Sequence, residues 1–168
     1  KVEKKNHLSR FILNATPINE AQIPPPAMDL PAIHGIASAI AASNCMFTVD
    51  AESWFYQLPL SPEVARFFGL NVNRPRGRPS PFVCTRLPMG WKFAPAIAQR
   101  CSNFILALLR DSVAFDFVGF VWLDNFIFGC SSDRAQELAR TFLSLCDSFD
   151  VTLHPPVFDN EFLGCVKR

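Results

Sequence analysis

A carboxylate set between two apolar runs constrains a fold more tightly than the runs themselves. Residues 120–128 read FVWLDNFIF, with Asp124 and Asn125 dividing two stretches of strand-forming residues. The runs call for burial, while an ionised acid calls for water, a partner or a metal. A bend at the border of a core meets both demands, so the segment reads as two short strands joined by a two-residue turn. Two readings of the turn stay open here. Asp and Asn suit a tight bend in their own right, or the bend holds an acid where chemistry happens.

A second acid stands in the same kind of place. Asp50 closes the strand-like run in MFTVDAESWFY. Alone it reads as a loop cap. If the two strands are neighbours, however, two acids converge on one spot. Convergent anionic oxygens repel each other unless a hard divalent cation lies between them, and Mg²⁺ suits an all-oxygen donor set.

The rest of the chain supplies a frame for such a pair. RFIL is a strand candidate, and residues 16–31, with five prolines, read as an extended loop. Apolar spacing predicts helices over 33–44, 94–109 and 132–149, the last with Leu138, Phe142, Leu145 and Phe149 inward. Ser61 and Pro62 mark a further helical turn as N-cap and first residue. The run CMFTVDAESWFYQLPL begins as a buried strand and lasts to Pro59, and FVCTRLPMG returns as another. Helices on one face of an antiparallel sheet follow, an α+β class in a single domain over 1–168.

Composition excludes several alternatives. Sixteen Lys and Arg against fifteen Asp and Glu leave a formal charge of +1. Any contact with nucleic acid must therefore come from a local patch, and residues 73–79, with Arg74, Arg76 and Arg78, form the one basic cluster. That loop reads equally as a phosphate-tracking element or a solvated hairpin tip. Six cysteines without a C-x-x-C pair argue against zinc and for reduced core thiols in an intracellular protein, compartment unknown. The most apolar segment is too short and too often interrupted by acids to span a bilayer.

Between the two acids lies RLPMGWKFAPAIAQRCSNFI, and its LPMGWK, APAI and Gln99 closely resemble motif B of reverse transcriptases. FTVDAESWFYQLPL resembles motif A, WLDN stands where motif C is expected, SRFILNATPIN resembles the upstream segment, and EFLG resembles motif E. The order is the family's own, over about residues 10 to 165.

The resemblance implies a polymerase palm with part of the fingers, copying RNA into DNA by nucleotidyl transfer with Mg²⁺ or Mn²⁺. Asp50 and Asp124 are then the catalytic acids and metal ligands. Phe55 is the sugar gate that selects dNTPs, and Arg10 the triphosphate ligand, unless it is a solvated surface arginine. Gly90 lets the backbone pass close to the nascent base pair. Met89, Lys92, Gln99, Trp122 and Asn125 fall on substrate-binding positions, with a structural role also open for Lys92 and Gln99. The implied partners are an RNA or DNA template-primer and a dNTP, with a protein partner in place of the thumb, which is expected to be absent together with RNase H.

Departures from the family pattern open a second reading. Asn125 stands where a second aspartate is usual, Trp122 replaces tyrosine, and Thr16 replaces a basic residue. The lysine expected after the last helix is not evident, with His154 the nearest titratable group. Two functions follow: an active RNA-directed DNA polymerase of retroelement type, or a catalytically inactive palm that binds RNA or a protein partner.

Overall fold

The computed structural model describes residues 13–72 and 80–158, with the backbone of two short strands at 161–162 and 165–166. In chain order the elements are α1 (Thr16–Ala21), α2 (Ile33–Ala42), β1 (Cys45–Asp50), α3 (Trp54–Gln57), α4 (Pro62–Ala65), β2 (Gly69–Val72), β3 (Ser80–Val83), α5 (Ala94–Ser112), β4 (Val118–Trp122), β5 (Asn125–Cys130), α6 (Ala135–Asp147), β6 (Glu161–Phe162) and β7 (Cys165–Val166). They divide into two compact units. One is built from the described residues of Lys1–Pro26 and Ser53–Ala96, the other from those of Ala27–Glu52 and Ile97–Arg168.

The second unit centres on an antiparallel sheet of order β1-β5-β4. Its strands are rich in Phe, Val and Ile, which fit a pleated and buried surface. Directly paired residues share a face, so the register sorts the side chains. Val49, Phe126 and Val121 lie in one row, each no more than 2% exposed. Phe47 and Phe128 stack at 4.9 Å on that same face, and Phe142 of α6 packs on Phe126 and Phe128 at 4.8 and 4.9 Å. Helix α6 turns Leu138, Ala139, Phe142 and Cys146 into this core. The outer edge of β1 is covered by the returning chain, through bridges from Thr48 to Val157 and from Ala51 to Leu153. Covering it removes an open row of backbone groups.

In the first unit β2 and β3 form a hairpin. Residues 58–60 pair with 85–87 through Leu60 N–H to Thr85 O and Leu87 N–H to Leu58 O, each 2.9 Å. Phe68 meets Trp91 edge to face at 5.1 Å, and both are buried.

Four local expectations change. The proline-rich segment does not begin as a loop: Thr16–Ala21 is helical, because Pro17 occupies the first turn, where its missing N–H has no partner to lose. Strand β1 stops at Asp50, and after Ser53 (φ 51°) residues 54–57 form a helical turn. Trp54, Phe55 and Tyr56 thus radiate from a turn rather than alternating on a strand, and only Trp54 is buried. Helix α6 starts after Arg134 rather than near Ser132, and ends at Asp147, which leaves Phe149 half exposed. Finally, β3 ends at Val83, well short of Gly90. RFIL lies almost wholly outside the described residues.

Cys45, Cys84, Cys101, Cys130 and Cys146 are free thiols. Burial pushes Cys146 up to about 12. Burial, helped by Cys45 and Asp133, pushes Cys130 up to about 11. Both are inert as nucleophiles at neutral pH.

Candidate active site

The residues of the hairpin turn are Leu123 and Asp124, because Trp122 pairs with Asn125. This corrects the reading in which Asp124 and Asn125 themselves made the bend. Leu123 has φ 56°. The left-handed region costs a branched L-residue about 1–2 kcal/mol, so something must hold it there.

Asp50 stands at the end of β1, directly across from Asn125. One residue on, Ala51 N–H donates to Asp124 O at 2.9 Å. Hydrogen-bonded and non-hydrogen-bonded pairs alternate in an antiparallel ladder, so Asp50 and Asn125 form a pair of the second kind, with Cα atoms about 4.5 Å apart and side chains at their closest. Asp50, Asn125 and Trp122 therefore form a half-buried row on the sheet face opposite Val49, Phe126 and Val121. The Oδ1 atom of Asp50 is buried, and its backbone oxygen accepts from His154 N–H at 2.8 Å. His154 reaches the site by its backbone, and its side chain is exposed.

Two acids distant in sequence, Asp50 at the end of β1 and Asp124 in the turn that leads into β5, thus lie at the same end of one sheet. The side chains that bear on this end of the sheet, Asp50, Asn125 and Asp124, are all of types that offer oxygen to a cation. Among the described residues no group of three His, Cys, Asp or Glu could hold a metal. Mg²⁺ is commonly held by one or two carboxylates, with substrate phosphates completing its shell. Asp50 and Asp124 are carboxylates of the type that description calls for.

Gln99 does not face a substrate. It is 1% exposed, and its carboxamide is fully used. Nε2 donates to Val121 O at 3.0 Å and to Asn103 Oδ1 at 2.9 Å, while Oε1 accepts from Leu123 N–H at 2.7 Å. Three residues along α5, Ser102 Oγ stands 3.0 Å from Ala98 O and 2.5 Å from Leu123 O, sharing one proton between them. Both backbone polar groups of Leu123 are therefore held by α5.

The motif B loop of the first unit is organised in the same manner. Asn19 of α1 donates from Nδ2 to Gly90 O and accepts from Lys92 N–H, both at 2.9 Å. The Lys92 ammonium donates to Asn19 O and to Gln22 O, and Trp91 Nε1–H to Gln22 Oε1 at 2.7 Å. Lys92 is thereby a structural tie between the loop and α1, the second of the two roles open to it in the sequence. Gly90 has φ 103°, and a Cβ there would sit 2.7 Å from Leu13 O. Its lack of a side chain is required by the chain's own backbone, before any base pair is considered. Gly90 is exposed, while Met89 and Phe55 are half-buried.

Arg10, Arg74, Arg76 and Arg78 lie outside the described residues, as do Leu163 and Gly164 of EFLG. Sequence reasoning missed Asn19, Gln22 and Ser102. Asn19 closes the upstream segment quoted for the resemblance, and Ser102 is a polar residue on the buried stripe of an amphipathic helix. Those were the available signals. Gln22 carried none.

Comparison with known proteins adds three findings. The family model described as reverse transcriptase (RNA-dependent DNA polymerase) matches residues 4–155. The enzymatic polyprotein of Cestrum yellow leaf curling virus is 30% identical over 121 residues, covering 67% of this chain and 18% of the polyprotein. A structure of the foamy viral protease-reverse transcriptase in complex with double-stranded DNA superposes with a TM-score of 0.76 at 16% identity, over 97% of this chain and 28% of that one. The chain thus spans less than a third of either protein.

Proposed function

Because the chain belongs to the reverse transcriptase (RNA-dependent DNA polymerase) family, we propose that it carries the nucleotidyl-transfer site of an RNA-directed DNA polymerase of retroelement type. The carrying observation is the pair of acids, Asp50 and Asp124, at the same end of one sheet and tied by the 2.9 Å bond from Ala51 N–H to Asp124 O. Two acids brought to the same end of one sheet repel each other unless a cation lies between them, which supports a catalytic use.

Asp50 and Asp124 would hold the divalent cations, Mg²⁺ or Mn²⁺. When bound, such ions supply the charge that stabilises a transferring phosphoryl group and activates the primer hydroxyl. The protein's own part is positional. Strand pairing fixes Asp50, and the turn fixes Asp124. Asn125 gives the Asp50 row a neutral oxygen where a third carboxylate would add repulsion, at the expense of metal affinity. Phe55 acts as the gate against a 2′-hydroxyl, Arg10 binds the triphosphate, and Met89, Gly90 and Trp122 contact the nucleotide. Arg74, Arg76 and Arg78 track template phosphates, a contact that weakens with salt.

The template-primer is RNA or DNA, the monomer a dNTP, and a protein partner or a further segment of the same protein supplies the thumb. The activity is intracellular. No helix among the described residues is long and apolar enough to cross a membrane.

Asn125 favours one alternative, a palm that binds RNA or protein without catalysis. Primer extension on an RNA template, with Mg²⁺ and separately Mn²⁺, decides. The polymerase reading expects incorporation that Asp50→Asn abolishes and Asn125→Asp maintains or raises in Mg²⁺. Absence of incorporation by both the parent chain and Asn125→Asp, with a thumb supplied, leaves the non-catalytic palm.

A further inference from the structure

We propose that Gln99 and Ser102 are positioning residues whose task is to hold the Leu123 turn in its left-handed form, and thereby to place Asp124. The inference rests on the polymerase reading only for its consequence. The geometry stands by itself.

Three observations carry it. Leu123 takes φ 56°, in a region that leucine avoids, so its conformation is imposed. Three backbone polar groups at the turn are engaged from α5: Leu123 N–H by Gln99 Oε1, Leu123 O by Ser102 Oγ, and Val121 O by Gln99 Nε2. Gln99 is 1% and Ser102 0% exposed, so neither competes with water and neither is placed to meet a nucleotide. A carboxamide is uncharged and carries an acceptor and a donor on separate atoms, so it can accept from one backbone group and donate to another two residues away. Glutamate in its ionised form would lose the donor, and leucine would lose both.

Asp124 follows Leu123 directly, and its carbonyl is the acceptor of the bond from Ala51 N–H that ties the turn to β1. If the clip is cut, Leu123 relaxes toward negative φ and the next peptide swings. The Ala51–Asp124 bond and the carboxylate's placement then fail together. That bond gives a reading of turn geometry independent of metal and of activity.

The test uses the whole chain and three variants, Gln99→Leu, Leu123→Gly and the pair combined. Amide hydrogen exchange at Ala51 and Leu123 reads the turn, and titration with Mn²⁺ reads the carboxylates. Gln99→Leu should speed exchange at both amides by about 10-fold or more, while Phe126 and Phe128 in the core keep their protection relative to global unfolding. Mn²⁺ should bind about 5- to 10-fold more weakly, by the scale on which supporting partners act on metal sites. Glycine accepts positive φ without help, so the combined variant should restore Ala51 protection and most of the Mn²⁺ affinity, while Leu123→Gly alone changes either by less than about twofold. The amide of residue 123 should stay fast in the pair, because its acceptor is gone.

Unchanged Ala51 protection in Gln99→Leu overturns the proposal, and so does failure of the added glycine to restore it, since a merely structural glutamine would not be rescued by backbone freedom next to Asp124. A parent chain that binds no Mn²⁺ removes the polymerase reading alone; the Ala51 measurements still decide the role of Gln99.

Discussion

The turn before Asp124 and the loop around Gly90 solve the same problem with one device and different materials. In each, a carboxamide from a helix spans a backbone carbonyl and the N–H two residues later: Gln99 on Val121 and Leu123, Asn19 on Gly90 and Lys92. In each, a residue within the spanned stretch has positive φ, 56° at Leu123 and 103° at Gly90. The Gly90 loop uses a residue that accepts its conformation, and its clip is only half-buried. The Leu123 turn uses a residue that resists, and its clip is sealed in the core. Where the backbone is content, the clip is an accessory; where the backbone is strained, the clip sets the geometry. The strained case is the one beside a candidate metal ligand, as is common for strain maintained at functional sites.

The sharpest way to break the comparison is Gly90→Ala. The new Cβ meets Leu13 O at 2.7 Å, a backbone atom with little room to yield, at a φ of 103°. Strain of that kind with the steric cost added should remove about 3–4 kcal/mol of stability, read as a lowered denaturant midpoint with unchanged slope. A loss under about 1 kcal/mol would mean the loop has an alternative conformation and that Gly90 is not its fixed point.

Next in size is Gln99→Leu. It strands Val121 O and Leu123 N–H in a dry setting, and two buried groups losing their partners cost about 2–3 kcal/mol even with the side-chain volume kept. Asn19→Leu makes the matching cut in the other unit. Gly90 O and Lys92 N–H there can turn to water, so about 1 kcal/mol is expected. The difference between the two losses, measured by the same urea unfolding, is the quantity that matters. Equal losses would show that burial of the clip does not distinguish the regions.

Much of this was legible in the chain. Apolar runs of Phe, Val and Ile beside Asp50 and Asp124 indicated strands, and the two-residue bend between two of them indicated a hairpin. The family resemblance supplied their adjacency, and the register of Asp50 opposite Asn125 agrees with it. What sequence did not yield is where a rule depends on a partner far along the chain. Pro17 read as a loop signal although it also begins helices, and only the rest of the turn decides between them. Gln99 and Lys92 read as substrate ligands or as structural residues, because polar residues in a matching motif suit either role. Their burial and backbone partners come from tertiary packing, which single-residue character does not encode. Asp and Asn each favour bends, so the bend was placed on Asp124 and Asn125; the ladder shifts it by one residue and puts leucine where glycine or asparagine is expected.

That leucine gives the smallest effect and the most discriminating sign. Leu123→Gly relieves about 1–2 kcal/mol of left-handed strain. Against this stand the extra backbone entropy of glycine, about 0.5–1 kcal/mol, and the partial burial lost with a half-exposed side chain, on the order of 1 kcal/mol. The terms nearly cancel, so the single variant should unfold within about 0.5 kcal/mol of the parent. The result differs in the Gln99→Leu background. There a leucine turn is free to leave the left-handed region, whereas a glycine turn has no reason to. A double-mutant cycle should therefore yield a favourable coupling, about 0.5–1.5 kcal/mol in the range found for residues sharing one hydrogen-bond network. Gly90 permits no analogous rescue, because its side chain is already absent and Asn19 holds a backbone that needs no persuasion. Additive losses at Gln99 and Leu123 would make the two clips equivalent after all and reduce the α5 contact to ordinary packing.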